Sequence, residues 1–166
     1  MGMRFQDKVA IVTGAASGIG RAVALGFARE GARLALVDRD VEGLRETAME
    51  AGTALTFVSD VGAPGTAEAD AAAVLTTYGQ IDILYAAAGF STGGTVLTTT
   101  PEDWDAVMRV HVGGTWLWAR AVIPAMRRQG GGAIVTTASQ LAIAGGAGNS
   151  AYIAAKGAIL SLTRCM

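Results

Sequence analysis

Five short stretches of the chain are apolar at almost every position: residues 9–13, 34–37, 55–59, 81–85 and 134–137. A strand that alternates apolar and polar residues has one wet face, whereas a run with little alternation is buried on both. These runs therefore predict strands of a parallel sheet covered by helices. The longer alanine-rich stretches between them, residues 18–30, 41–50, 65–78, 101–128 and 150 to the end, predict those helices, and Pro101 suits a first helical turn. Strand and helix alternate throughout. Right-handed crossovers between parallel strands then give an α/β fold, a Rossmann-like doubly wound sheet with helices on both faces and the strand order 3-2-1-4-5. No repeat or linker divides residues 1–166, so a single domain is expected.

Composition narrows the function classes. The chain is 51% hydrophobic and 16% charged, enough apolar residue for a substantial core. A net charge of −1, with Lys and Arg scattered along the chain, argues against nucleic acid as a partner. Cys165 is the one cysteine, so no internal disulfide forms, and a reducing cytoplasmic location is expected. The first residues lack the apolar core of a signal peptide. Gly2 is followed by Gln6 where a myristoylation signal wants Ser or Thr, and no apolar run is long enough for a membrane span. The 23 glycines gather between predicted elements, where they act as turn formers.

The first strand runs directly into Thr13-Gly14-Ala15-Ala16-Ser17-Gly18-Ile19-Gly20 and then into a predicted helix. Glycines permit a tight turn and a close backbone approach, and a helix start offers unpaired N–H groups at the positive end of its dipole. An anion such as a pyrophosphate suits that turn. No Gly-Lys-Ser/Thr follows, which excludes a P-loop. The second strand ends at Asp38, about 20 residues past the turn, in register for a carboxylate that accepts hydrogen bonds from an adenosine ribose. The same charge repels a 2′-phosphate and Ser17 offers nothing to offset it, so NAD is expected over NADP, with neighbouring Arg39 pulling the other way. Asp38 alone also reads as an ordinary solvated loop acid.

Near the other end stands Tyr152-Ile153-Ala154-Ala155-Lys156, preceded by Ser139 at a strand end. Four-residue spacing on a helix puts the phenol and the ammonium one turn apart on one face. The ammonium favours phenolate, which fits Tyr152 as base for alcohol oxidation and acid for carbonyl reduction. Ser139 is placed to hydrogen-bond the reacting oxygen and stabilise its developing charge. Each residue by itself is commonplace on a helix surface or at a strand end; the three together are not.

Taken with Asp60-Val61 and Ala88-Gly89, these segments fall in the order and spacing of the short-chain dehydrogenase/reductase family, which the whole chain resembles. The resemblance implies a nicotinamide-dependent oxidoreductase moving hydride between the cofactor and a secondary alcohol or ketone carbon. It places Asp60 at the adenine amino group with Val61 behind the ring, Ala88 and Gly89 against the cofactor, and Lys156 also on the nicotinamide ribose. Three departures stand out. Where the family has Asn-Asn-Ala-Gly this chain has Ala86-Ala87-Ala88-Gly89, and the loss of the amide at Ala87 loosens the cofactor wall or leaves its place to water. His111 stands where the family has an Asn of the proton relay, so it reads either as a titrating relay member or as a buried filler. The family continues past Arg164 through further strands and a substrate-covering loop, so these residues are expected to be the N-terminal portion of a longer chain.

The alternative reading is a non-catalytic dinucleotide-binding or scaffold homologue, which the retention of Tyr152 and Lys156 argues against. A methyltransferase also wants a glycine turn and an acid after strand two, but has no use for Ser139, Tyr152 and Lys156. No metal site is expected. Residues 90–96, residues 140–143 and Asn149 are expected to face a small-molecule substrate. Trp104, Trp116, Leu117 and Trp118 exceed what one sheet face needs, and such a helix forms subunit contacts in the resembling family, so a homodimer or homotetramer is expected.

Overall fold

The computed structural model describes residues 3–166; Gly2 lies outside them. Five parallel strands, β1 (Val9–Thr13), β2 (Arg33–Asp38), β3 (Ala54–Val58), β4 (Ile83–Ala86) and β5 (Ala133–Thr136), pair in the order β3-β2-β1-β4-β5. This is the order expected from the alternation of elements. The connecting helices are α1 (Gly18–Arg29), α2 (Val41–Ala51), α3 (Thr66–Tyr78), α4 (Pro101–Met108), α5 (Gly114–Arg128), α6 (Leu141–Ala144) and α7 (Ser150–Cys165).

Successive residues of β1 and β2 feed two separate cores, which is why neither strand alternates. Val9, Ile11, Ala35 and Val37 pack with Ala67, Ala71 and Val74 of α3 and with Trp118 and Val122 of α5. Ala10, Val12, Leu34 and Leu36 pack on the other face with Ala24 of α1 and Leu44 of α2. Trp118, expected among the surplus apolar residues of its helix, is fully buried in the first core, as nearly is Leu117. Only Trp104 and Trp116 of that group are exposed, at 41% and 48%. β5 has β4 as its neighbour on one side, and Val135 is exposed.

Local chemistry sets the helix starts. Thr100 Oγ1 accepts from Asp103 N at 3.1 Å with Pro101 in the first turn of α4, as its sequence position predicts. The run predicted as one helix over residues 101–128 is interrupted by a π-helical segment, Arg109–Gly113. The Gly114 amide reaches back five residues to Arg109 O, and Thr115 Oγ1 donates to His111 O at 2.6 Å. One inserted residue has no compositional signature, so periodicity alone does not reveal it. The short helix α6 is likewise absent from the sequence expectation. None of the helices among the described residues is long and apolar enough to cross a membrane.

Candidate active site

The carboxyl ends of the strands open into one cavity of about 650 Å³. Its walls bring together the glycine turn (Gly14, Ser17, Gly18, Ile19, Gly20), Asp38 and Arg39 after β2, Asp60 and Val61 after β3, Ala87 to Gly89 after β4, and His111, Tyr152 and Lys156. Of the expected catalytic and cofactor-binding residues, Ser139 is the one outside this lining. Its Oγ accepts from Leu141 N at 3.2 Å, at the entry to α6. Of the expected substrate-facing positions, Phe90, Ser91 and Asn149 line the cavity.

The glycine turn is held by close packing. Gly14 has φ +70, and a Cβ there would lie 2.8 Å from Ala88 N; a Cβ on Gly20 would lie 2.0 Å from Gly14 O. Strand end, turn and helix start therefore touch backbone to backbone. The first intrahelical bond of α1 is Arg21 N–H to Ser17 O at 3.0 Å, so the amides of Gly18, Ile19 and Gly20 precede the helix's own hydrogen bonding. Asp38 is not the solvated loop acid that its sequence position also allowed. Its Oδ2 accepts from Ala16 N (3.0 Å) and its Oδ1 from Asp40 N (3.1 Å), which ties the end of β2 to the turn.

After β4, the Thr13 hydroxyl accepts from Ala87 N (3.2 Å) and Ala88 N (3.4 Å). The wall expected to loosen for want of an amide at position 87 is thus pinned to β1 through its backbone. Sequence reasoning did not single out Thr13 in this role, although a hydroxyl at the last residue of β1 was a signal in plain view.

At the far end, Lys156 is buried and its Nζ donates to Thr137 O. Burial penalises the ammonium and pulls its pKa down to about 8. Nζ also lies 5.4 Å from the Tyr152 ring centroid, so the four-residue spacing does bring the two groups together. The His111 ring stands edge-on to Tyr152 at 5.5 Å and is itself buried. His111 Nε2 is 2.9 Å from Phe90 N and 2.7 Å from Phe90 O, so in either neutral tautomer it is tied to that backbone. Nδ1 is buried with no hydrogen-bond partner among the described residues. Desolvation lowers the His111 pKa; the Phe90 contact opposes this and the Lys156 charge adds to it. Gly89 is bare because the ring fills its side-chain space, a Cβ there falling 2.3 Å from His111 Cε1.

No cluster of His, Cys, Asp or Glu suited to a metal occurs among the described residues.

The family model for short chain dehydrogenases matches residues 8–166. The 2-(R)-hydroxypropyl-CoM dehydrogenase of Xanthobacter autotrophicus is 42% identical, the alignment covering 95% of this chain and 66% of that protein. Among solved structures, levodione reductase matches with a TM-score of 0.94 at 36% identity, over 98% of this chain and 66% of that one. An NAD⁺-bound xylitol dehydrogenase matches with a TM-score of 0.92 at 33% identity, over 98% and 64%. The chain spans about two thirds of the length of these relatives. With the family model matched over residues 8–166 and relatives sharing the parallel sheet, the chain belongs to the short chain dehydrogenase family.

Proposed function

We propose that the chain is the dinucleotide-binding and proton-transfer part of an NAD-dependent oxidoreductase that interconverts a secondary alcohol and a ketone. One observation carries the reading: a single cavity is lined at one end by the free amides of the glycine turn and Asp38, and at the other by Tyr152 and Lys156. The donor set fits a dinucleotide. Amides at a helix start suit a pyrophosphate, Asp38 suits the hydroxyls of the adenosine ribose, Asp60 and Val61 suit the adenine, and Lys156 suits the nicotinamide ribose. When bound, NAD supplies the hydride acceptor. The relatives named as dehydrogenases and reductases, and the NAD⁺-bound xylitol dehydrogenase, support this chemistry.

Tyr152 takes the alcohol proton on its side-chain oxygen during oxidation and returns it during reduction. Lys156 spends one N–H bond on Thr137 O, which fixes the ammonium beside the phenol and leaves its other donors for the cavity. Ser139 accepts from Leu141 N–H, and its own O–H, unspent although the residue lies outside the cavity lining, is assigned in this reading to the substrate oxygen. His111 works as a neutral positioning group that holds the Phe90 backbone and the Tyr152 ring. Its lowered pKa keeps it uncharged at neutral pH, so His111→Asn is expected to change the level of the rate without changing the shape of the pH profile between about pH 6.5 and pH 8. Loss of an acidic limb in the variant would return His111 to a titrating role. Trp104 and Trp116, exposed on one helical run, support a homodimer or homotetramer; a monomer by light scattering contradicts that.

The Asp38 charge sets the cofactor preference. Asp38→Asn keeps an oxygen for the Ala16 amide while removing the repulsion toward a 2′-phosphate, and Arg39 then attracts it. The ratio of NADP to NAD affinity is expected to rise about tenfold, a change of about 1.4 kcal/mol, measured by calorimetric titration of both cofactors; an unchanged ratio places the discrimination elsewhere. The reading as a whole is tested by absorbance of reduced nicotinamide over a panel of secondary alcohols with NAD. Turnover on at least one alcohol supports it, and tight NAD binding with turnover on none favours a non-catalytic scaffold.

A further inference from the structure

Asp60, at the adenine end of the cavity, is engaged from two sides. Its Oδ1 accepts from Gly62 N at 2.9 Å, and its Oδ2 accepts from Arg109 Nη1 at 2.7 Å. Arg109 opens the π-helical segment and does not itself line the cavity, although Val110 and His111 beside it do. Room has been left for it: a Cβ on Gly62 would lie 2.8 Å from Arg109 Nη1 and 3.0 Å from Arg109 O. The ion pair is exposed, at 48% and 41% of the two side chains, so it adds little to stability. A contact of little structural value in a space cleared by glycine calls for another role.

We propose that Arg109 is a positioning residue of the dinucleotide site, holding the Asp60 carboxylate in the orientation that accepts the adenine amino group. A carboxylate offers about four lone-pair positions, and the Gly62 amide and the guanidinium occupy one on each oxygen. The carboxylate plane is thereby fixed, and free positions remain for an N–H donor in the cavity. Left alone at a half-exposed strand end, the same side chain is free to rotate. The π-segment delivers the guanidinium to this spot two residues before His111, so one turn of chain serves both ends of the cavity.

Arg109 also maintains the charge of Asp60. Partial burial works against the carboxylate, but the Arg109 and Gly62 hydrogen bonds, with the charges of Arg109 and of Arg39 beyond β2, outweigh it and hold the pKa below the ordinary value. A depressed pKa means that the charged acceptor is present above it and lost as pH falls through it. Without Arg109 that loss comes at higher pH.

The inference rests on the dinucleotide reading of the cavity, and the test separates the two. ADP-ribose and nicotinamide mononucleotide are titrated calorimetrically into the parent chain, Arg109→Ala and Arg109→Lys. Arg109→Ala is expected to bind ADP-ribose about tenfold more weakly near pH 7.5, as befits a lost charge-assisted hydrogen bond. The deficit widens as pH falls toward the ordinary carboxylate range, where the released carboxyl protonates before the parent's does. Arg109→Lys recovers most of the affinity, the mononucleotide binds all three proteins alike, and melting temperatures agree. Equal ADP-ribose affinity in parent and Arg109→Ala overturns the role of Arg109 and leaves the dinucleotide reading standing, as does a pH-independent loss shared by both ligands. Failure of the parent itself to bind ADP-ribose overturns both.

Discussion

Tyr152→Phe is expected to lower turnover by about a thousandfold, the order of effect of a positioned acid/base, while leaving NAD affinity and fold unchanged. The substitution removes one oxygen and keeps the ring. That ring packs edge-on to His111 at 5.5 Å and lies 5.4 Å from Lys156 Nζ, contacts that a phenyl group preserves. No hydrogen bond of the Tyr152 hydroxyl to the described residues holds the fold together, so the loss falls on proton transfer. The check is single-turnover kinetics with the best alcohol of the panel, alongside calorimetric NAD binding. A variant that retains a tenth or more of the rate removes Tyr152 from the reaction; one that also loses NAD binding gives the hydroxyl a cofactor role instead.

Gly20→Ala is expected to damage stability and cofactor binding together. The added Cβ would sit 2.0 Å from Gly14 O and 2.6 Å from Gly14 C, both backbone atoms, so no rotamer relieves the overlap. Gly14 is itself packed on its Cα side, where a Cβ would lie 2.8 Å from Ala88 N. Overpacking of this kind costs about 3 kcal/mol, which for a domain of this size lowers Tm by roughly 10 °C. The amides of the turn move with it, and NAD binding goes with them. Gly18→Ala makes the contrast. Its Cβ meets nothing within 4 Å, and only the φ of +52 opposes it, a strain of about 1 kcal/mol. Thermal melts of the two variants check this; a Gly20→Ala protein that melts with the parent shows that the turn yields where the packing says it does not.

Much of the fold was legible because its determinants are local or periodic. Apolar runs without alternation marked strands buried on both faces, and their alternation with helical stretches led to the order β3-β2-β1-β4-β5. The glycine turn and the Tyr152/Lys156 pair were legible for the same reason, since three-dimensional proximity follows there from short spacing on one element. What escaped depends on contacts across the sheet. The π-segment keeps the apolar period of the helices on either side of it. Thr13 under Ala87, Thr137 under Lys156 and Arg109 against Asp60 each join residues from different elements, and nothing in their own neighbourhoods announces the meeting. Trp118 illustrates the converse error: counting large apolar residues along a helix does not tell which of them face the core. His111 was legible as a departure from the family, but its tie to Phe90 and the bare Gly89 beside it emerge only once the loop after β4 and the π-segment are seen together.

The proposed function requires the cavity to hold a dinucleotide with its pyrophosphate at the glycine turn and its nicotinamide ribose at Lys156. The most direct measurement is a crystal structure of the chain grown with NAD. The predicted result is pyrophosphate oxygens on the amides of Gly18 to Gly20, ribose hydroxyls on Asp38 and Lys156, and adenine against Asp60 and Val61. NAD bound in another place, or the cavity holding no NAD at a concentration that saturates the protein in solution, would contradict it.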